Sequence, residues 1–294
     1  MNTTAKAATF LALTFLISWS AAIGGWAMKL AESPPGATAT LFAMMSGPAI
    51  AAVLCAFAFE KGRRREALGL VWRPGWWWLG AWLIGLLLAA ASVGLTLLLG
   101  GSGLGDLAAS VISAAQANGA TATMIDQLRA MGPALGWLIL AQAAVLGSWF
   151  NAPVLTFTEE LGWRGYLHSL WRPAGFWRAS LGTGFVWGVW HAPAILLFGH
   201  NYPEHRALGT GLFVVFCMLL SPLMTALRER AGSVIVPGIL HGTINAMGGV
   251  TLLALSDPRF PWSGLVGVGG FLALAFGLAA AAVLRGRPEG GGRS

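Results

Sequence analysis

The stretch "WWWLGAWLIGLLLAAASVGLTLLLG" fills residues 76–100 without a single charged side chain. A helix of that length extends about 37 Å at roughly 1.5 Å per residue, which exceeds the hydrocarbon core of a bilayer, about 30 Å thick. The tryptophans at its start are typical of the membrane–water interface, where indole rings accumulate. The stretch therefore predicts a transmembrane helix.

Seven further apolar blocks of similar length surround this one. Of the 294 residues, 56% are hydrophobic and only 10% are charged, and the mean hydropathy is +0.69. We predict an all-α polytopic membrane protein, with about eight transmembrane helices in one bundle over residues 1–284 and a disordered cytoplasmic tail over 285–294. The first block is too long for a signal-peptide core. The other seven predicted spans are 7–28, 37–59, 135–158, 179–198, 208–227, 234–255 and 263–284.

The distribution of positive charge predicts the topology. If successive connections alternate between the two sides, fourteen of the eighteen Lys and Arg residues fall on one side, including the cluster at 61–65. The positive-inside rule then places both termini in the cytoplasm. The net charge of +7 is accordingly interpreted as a topology signal beside a lipid bilayer, and no nucleic-acid partner is expected. The excess of Arg over Lys favours a bacterial source, hence the inner (cytoplasmic) membrane.

Two stretches interrupt the simple pattern of spans. Residues 101–134 form a long polar connection on the extracytoplasmic side, rich enough in Ala for one or two short helices. Apolar character then continues from 135 to about 170, too far for one ordinary span. We expect a break at "SWFNAP", with Asn151 capping a new helix and Pro153 in its first turn, so that a second helix runs from about 152 to 170.

Few ionisable residues fall inside the predicted spans. Among eleven acidic residues only Glu159 and Glu160 are embedded, and among five histidines His191 and His241 lie in mid-span. Ionisable groups in the hydrocarbon region cost several kcal/mol and are functional candidates by default. Counted from the cytoplasmic ends of their helices, Glu159, His191 and His241 all lie roughly 16–20 Å deep. A common depth is what a shared site requires.

Local spacing indicates which of these groups pair. Glu160 and Arg164 are four residues apart, which favours an internal ion pair with a structural role. Glu159 lies about 100° around the helix from Glu160 and lacks that partner, so it can take a proton from water. His241 and Asn245 are also four residues apart and could donate hydrogen bonds to an oxyanion, or simply hold helices together. A lone buried histidine such as His191 is more often structural than catalytic.

Three short motifs in order then identify a family. They are Glu159-Glu160-x-x-x-Arg164, Trp187-x-x-x-His191 and His241-x-x-x-Asn245. Together they resemble the E-E-x-x-x-R, F-x-x-x-H and H-x-x-x-N motifs of the CPBP intramembrane proteases, also called the Abi or type II CAAX prenyl endopeptidase family. The motif-bearing core spans about 135–255. Trp187 departs from the family pattern, which has phenylalanine there.

The resemblance implies an endopeptidase acting on a membrane-tethered peptide or protein. In family terms Glu159 and His191 activate water, and His241 and Asn245 stabilise the oxyanion. Glu160, Arg164 and Trp187 support the site. Glu159, His191 and His241 could also hold zinc with an open position for water, although we favour a glutamate mechanism without metal.

Two other function classes compete with a protease. A non-enzymatic bacteriocin-immunity or scaffold protein would bind a partner through the same cavity and would not depend on Glu159. A transporter would use the embedded acids for proton coupling, and the lack of a convincing inverted repeat argues mildly against it.

Overall fold

The computed structural model describes residues 1–285, and within these residues helices account for nearly all regular structure, with no β-strand. Among residues 1–285, seven helices are long and apolar enough to cross a membrane. The predicted all-α polytopic membrane fold is therefore confirmed. The seven are α1 (Thr3–Ala27), α2 (Pro34–Phe59), α4 (Trp76–Leu98), α7 (Ala134–Ala174), α8 (Phe176–Phe198), α9 (Arg206–Ala231) and α10 (Ile235–Leu253).

The remaining helices are shorter. The eighth predicted span corresponds to an apolar helix, α11 (Val268–Arg285), of 18 residues. The connection between α4 and α7 carries two helices, α5 (Leu107–Ala117) and α6 (Ala122–Ala130), as its Ala-rich sequence predicts. A short helix, α3 (Arg64–Leu68), follows α2. The predicted disordered tail lies almost wholly outside the described residues.

Side-chain caps set several of these boundaries. Asp106 accepts hydrogen bonds from the backbone N–H groups of Ala108 and Ala109 at the start of α5. Thr121 does the same for Met124 at the start of α6. Both caps satisfy N–H groups that the first turn of a helix leaves without an intrahelical acceptor.

The expected break at Asn151 is wrong. Helical structure continues from Ala134 to Ala174, with two π-helical stretches, Gln142–Gly147 and Thr156–Leu167, in place of a cap. Asn151 donates its side-chain amide to the carbonyl of Gly147 at 2.8 Å, one turn back, so it does not cap a following turn. The helix therefore accommodates Pro153 with π-helical turns on either side of it and does not break there. The longer of the two π-helical stretches contains the Glu159-Glu160 motif.

The chain divides into two compact units, and each is described by itself. The first unit contains residues 1–78, 154–238 and the described residues from Leu274 onward. In it α1 packs against α2, α2 against the π-helical stretch Thr156–Leu167, and α8 against α9. Glycines make the last contact close, because a methyl group at Gly184 would lie 2.7 Å from the carbonyl oxygen of Cys217. Small residues of this kind let membrane helices approach each other.

The second unit contains residues 79–153 and 239–273. Here α10 packs closely on the first half of α7, since a methyl group at Gly242 would lie 2.6 Å from the backbone nitrogen of Ala152. Thr243 packs in the same way against Gly85 of α4. The second unit thus holds the His241 motif on a tightly packed helix.

Candidate active site

The Glu159-Glu160 motif lies on the π-helical part of α7 and is buried. Glu159 is 2% exposed, and Glu160 and Arg164 are fully buried. Buried charges are expensive unless they are paired and hydrogen-bonded, so their partners decide what the motif does.

Trp187 of α8 is the direct partner of Glu159. Its indole N–H donates a hydrogen bond to Oε2 of Glu159 at 2.8 Å, and the Trp187 side chain is 1% exposed. A hydrogen bond from an N–H group to a carboxylate is among the stronger kinds and fixes the orientation of the acceptor. The contact ties the carboxylate on α7 to a rigid ring on α8.

His191 is held by the same residue. Its Nδ1 lies 2.8 Å from the backbone carbonyl oxygen of Trp187. Its ring stands edge-on to those of Trp190 and Phe213, with centroids 4.6 Å away in each case. His191 sits where α8 changes from the segment Phe176–Trp190 to the segment Ala192–Phe198. Trp187 therefore contacts Glu159 through its side chain and His191 through its backbone.

The predicted ion pair between Glu160 and Arg164 is present. Nη1 of Arg164 lies 3.3 Å from Oε1 of Glu160, with both side chains buried. The guanidinium also lies over the indole ring of Trp187, 4.3 Å from its centroid. This cation–π contact joins the ion pair to the residue that holds Glu159 and His191.

The His241 motif belongs to the second unit. His241 is 4% exposed on α10, whereas Asn245, one turn later, is exposed. The structure thus assembles five of the seven predicted site residues into one cluster in the first unit. The approach of His241 and Asn245 to that cluster stays a prediction.

The sequence predicts a supporting role for Trp187 but not its hydrogen bond to Glu159. Its motif position predicted an aromatic neighbour of His191, and nothing in the spacing predicted a bond to Glu159. The available signal was chemical, because the indole carries an N–H that phenylalanine lacks.

The zinc site predicted from Glu159, His191 and His241 stays a prediction. Within the described part of the chain, no group of three His, Cys, Asp or Glu residues is arranged to hold a metal ion. Glu159 and His191 supply two ligands, whereas catalytic zinc sites use three protein ligands.

Comparison with known proteins supports the motif reading. Residues 137–247 match a family described as type II CAAX prenyl endopeptidase Rce1-like, and all three motifs lie within that range. None of the curated proteins compared with the chain matches it. The predicted resemblance is confirmed, and the matched family is one of CAAX prenyl endopeptidases, which are hydrolases.

Proposed function

We propose that the protein is an intramembrane endopeptidase in which Glu159 and His191 activate the water that hydrolyses a peptide bond. The observation that carries the proposal is the bridge through Trp187, whose indole N–H donates to the buried Glu159 and whose backbone carbonyl contacts the partly buried His191. A purely structural polar pair would not require both groups to be oriented by one residue.

Glu159 is proposed as the general base. A carboxylate has about four lone-pair sites, so the hydrogen bond from Trp187 leaves it able to accept a proton from water. The water oxygen attacks the carbonyl carbon of the scissile bond as its proton passes to Glu159. That proton then moves to the leaving nitrogen as the C–N bond breaks.

His191 is proposed to orient the water. A carbonyl oxygen only accepts hydrogen bonds, so the contact with Trp187 requires the proton to be on Nδ1 of His191. The neutral ring then presents a lone pair at Nε2, which can accept a hydrogen bond from the attacking water. The backbone of α8 thus selects the useful tautomer.

Glu160 and Arg164 are proposed as supporting groups. Their pairing keeps Glu160 from acting as a second base, and the guanidinium stacked on Trp187 stiffens the ring that holds Glu159. His241 and Asn245 would donate hydrogen bonds to the oxyanion of the tetrahedral intermediate. We propose that this chemistry proceeds without a metal.

The substrate is proposed to be a membrane-tethered peptide or protein. Both termini would lie in the cytoplasm of a bacterium, and the substrate would enter from the lipid. A farnesylated peptide ending in Cys-Ala-Ala-X is a suitable probe, because the matched family is one of CAAX prenyl endopeptidases.

The test is cleavage of that probe by purified protein in proteoliposomes. Glu159→Gln, which removes the base and keeps the shape, should lose at least a hundredfold in kcat, within the usual range for general-base catalysis. Glu160→Gln serves as the neighbouring control and should lose far less. Full activity of Glu159→Gln, with normal membrane insertion and thermal stability, would remove the proposed base and favour a partner-binding role.

A further inference from the structure

A separate cavity of about 740 Å³ opens among the ends of four helices in the first unit. The start of α1, the end of α2 with α3, the end of α7 and the end of α9 all border it. These are the ends of helices long and apolar enough to cross a membrane, so we expect the cavity at the level where lipid headgroups meet water. The proposed hydrolytic mechanism does not use it.

Charged side chains dominate the wall of this cavity. Its cations are Lys6, Arg63, Arg172 and Arg228, and its carboxylates are Glu60, Glu66 and Glu229. Two of the cations are already neutralised locally. Nζ of Lys6 lies 2.7 Å from Glu60, and Nη2 of Arg63 lies 2.9 Å from Glu66.

Arg172 and Arg228 are the cations that remain. Neither forms an ion pair with any carboxylate in the described part of the chain. The third carboxylate, Glu229, lies 3.5 Å from Nε2 of His168, which also lines the cavity. Glu229 also acts electrostatically on Arg228, so the wall carries four cations against three carboxylates, an excess of one positive charge, and the guanidinium groups of Arg172 and Arg228 form no ion pair with a described residue.

Arg228 is held in place for such a role. Its Nε donates to the backbone carbonyl of Arg164 at 3.1 Å. Its guanidinium packs against Gly69, where the left-handed backbone (φ +61°) and a missing side chain make room for it. A Cβ atom at Gly69 would collide with that guanidinium. The site is therefore preorganised, and Arg228 is not a mobile surface arginine.

We infer that this cavity binds the phosphate group of an anionic lipid, with Arg172 and Arg228 as its ligands. Guanidinium groups match phosphate oxygens in geometry and charge, and basic pockets between the ends of membrane helices are suited to anionic headgroups. A free phosphate ester offers the same chemistry, and we favour the lipid because the walls are helix ends at headgroup level. The inference is independent of the proposed peptidase activity.

The experiment measures phospholipid binding to the purified full-length protein in neutral detergent. Phosphatidylglycerol and phosphatidylcholine are compared by native mass spectrometry, and inorganic phosphate is added as a separate competitor. The variants are Arg172→Gln and Arg228→Gln. The matched control is Arg178→Gln, an exposed arginine of α8 that does not line the cavity.

The expected result is that the protein binds phosphatidylglycerol in preference to phosphatidylcholine. Either variant should weaken this binding roughly fivefold, because each cation near the membrane surface contributes about 1 kcal/mol to the binding of an anionic lipid. Arg178→Gln should leave it unchanged. Phosphate binding with the same variant dependence, without lipid preference, would support the phosphate site and identify a soluble source. Equal binding of both lipids with no effect of phosphate, or an equal loss in Arg178→Gln, would overturn the inference. Because Arg172 is exposed and its side chain forms no hydrogen bond or ion pair with another described residue, its variant decides the matter even if Arg228→Gln fails to fold.

Discussion

Replacing Trp187 by phenylalanine should slow catalysis without weakening substrate binding. The substitution keeps an aromatic ring between Arg164 and His191 but removes the N–H that donates to Oε2 of Glu159 at 2.8 Å. A hydrogen bond to a charged group contributes about 1.5–3 kcal/mol, which corresponds to roughly a 10- to 150-fold change in rate if it is needed only in the transition state. Because the family pattern has phenylalanine at this position, we expect a loss near the lower end, about tenfold in kcat, with KM unchanged.

The matched control is Trp163→Phe. Trp163 is also fully buried, on the same π-helical stretch as Glu159, and its indole N–H has no hydrogen-bond partner among the described residues. Both substitutions remove the same atoms from a packed interior, but only Trp187→Phe also removes a hydrogen bond to a buried carboxylate, so it should lower thermal stability more than Trp163→Phe, and it alone should lower kcat. Cleavage of the farnesylated probe, with melting temperatures measured in parallel, separates the two effects. Equal activity of the two variants, or an equal loss in both, would refute the positioning role of Trp187.

Three further outcomes follow from the packing and chemistry. Gly188→Ala should destabilise the protein by about 1–3 kcal/mol in thermal unfolding, because the new methyl group would lie 2.6 Å from Cα of Val214. The control Gly211→Ala should not destabilise it, because a methyl group there meets open space. Arg164→Gln should lower the free energy of unfolding by about 3–5 kcal/mol, because buried Glu160 loses its arginine partner. The double variant Arg164→Gln/Glu160→Gln should regain part of that stability in the same measurement, and no regain would contradict the pairing. Treatment with 1,10-phenanthroline should leave cleavage unchanged, and a loss that zinc restores would contradict the metal-free mechanism.

The spans and the ion pair could be predicted because they depend on local sequence. A run of twenty apolar residues has one stable arrangement in a bilayer, and residues four apart on a helix face each other. The predicted spans accordingly match seven long helices, and Arg164 pairs with Glu160.

The π-helical stretches and the Trp187 bond could not be predicted in this way. A widened turn leaves no compositional signature, so the sequence predicts a cap at Asn151, whereas the side chain donates a hydrogen bond back to the carbonyl of Gly147. The hydrogen bond from Trp187 to Glu159 joins residues 28 positions apart, and only the packing of α8 beside α7 brings them together. Short motifs identify the residues that matter but not the partners that orient them.

The most direct test of the account is a structure of the protein with a nonhydrolysable, tetrahedral peptide analogue bound. Glu159 and His191 should contact the oxygen that takes the place of water, and His241 and Asn245 should lie about 2.7–3.1 Å from the oxyanion oxygen. An analogue bound elsewhere, or His241 and Asn245 facing lipid while the analogue occupies the Glu159 cluster, would contradict the proposed mechanism.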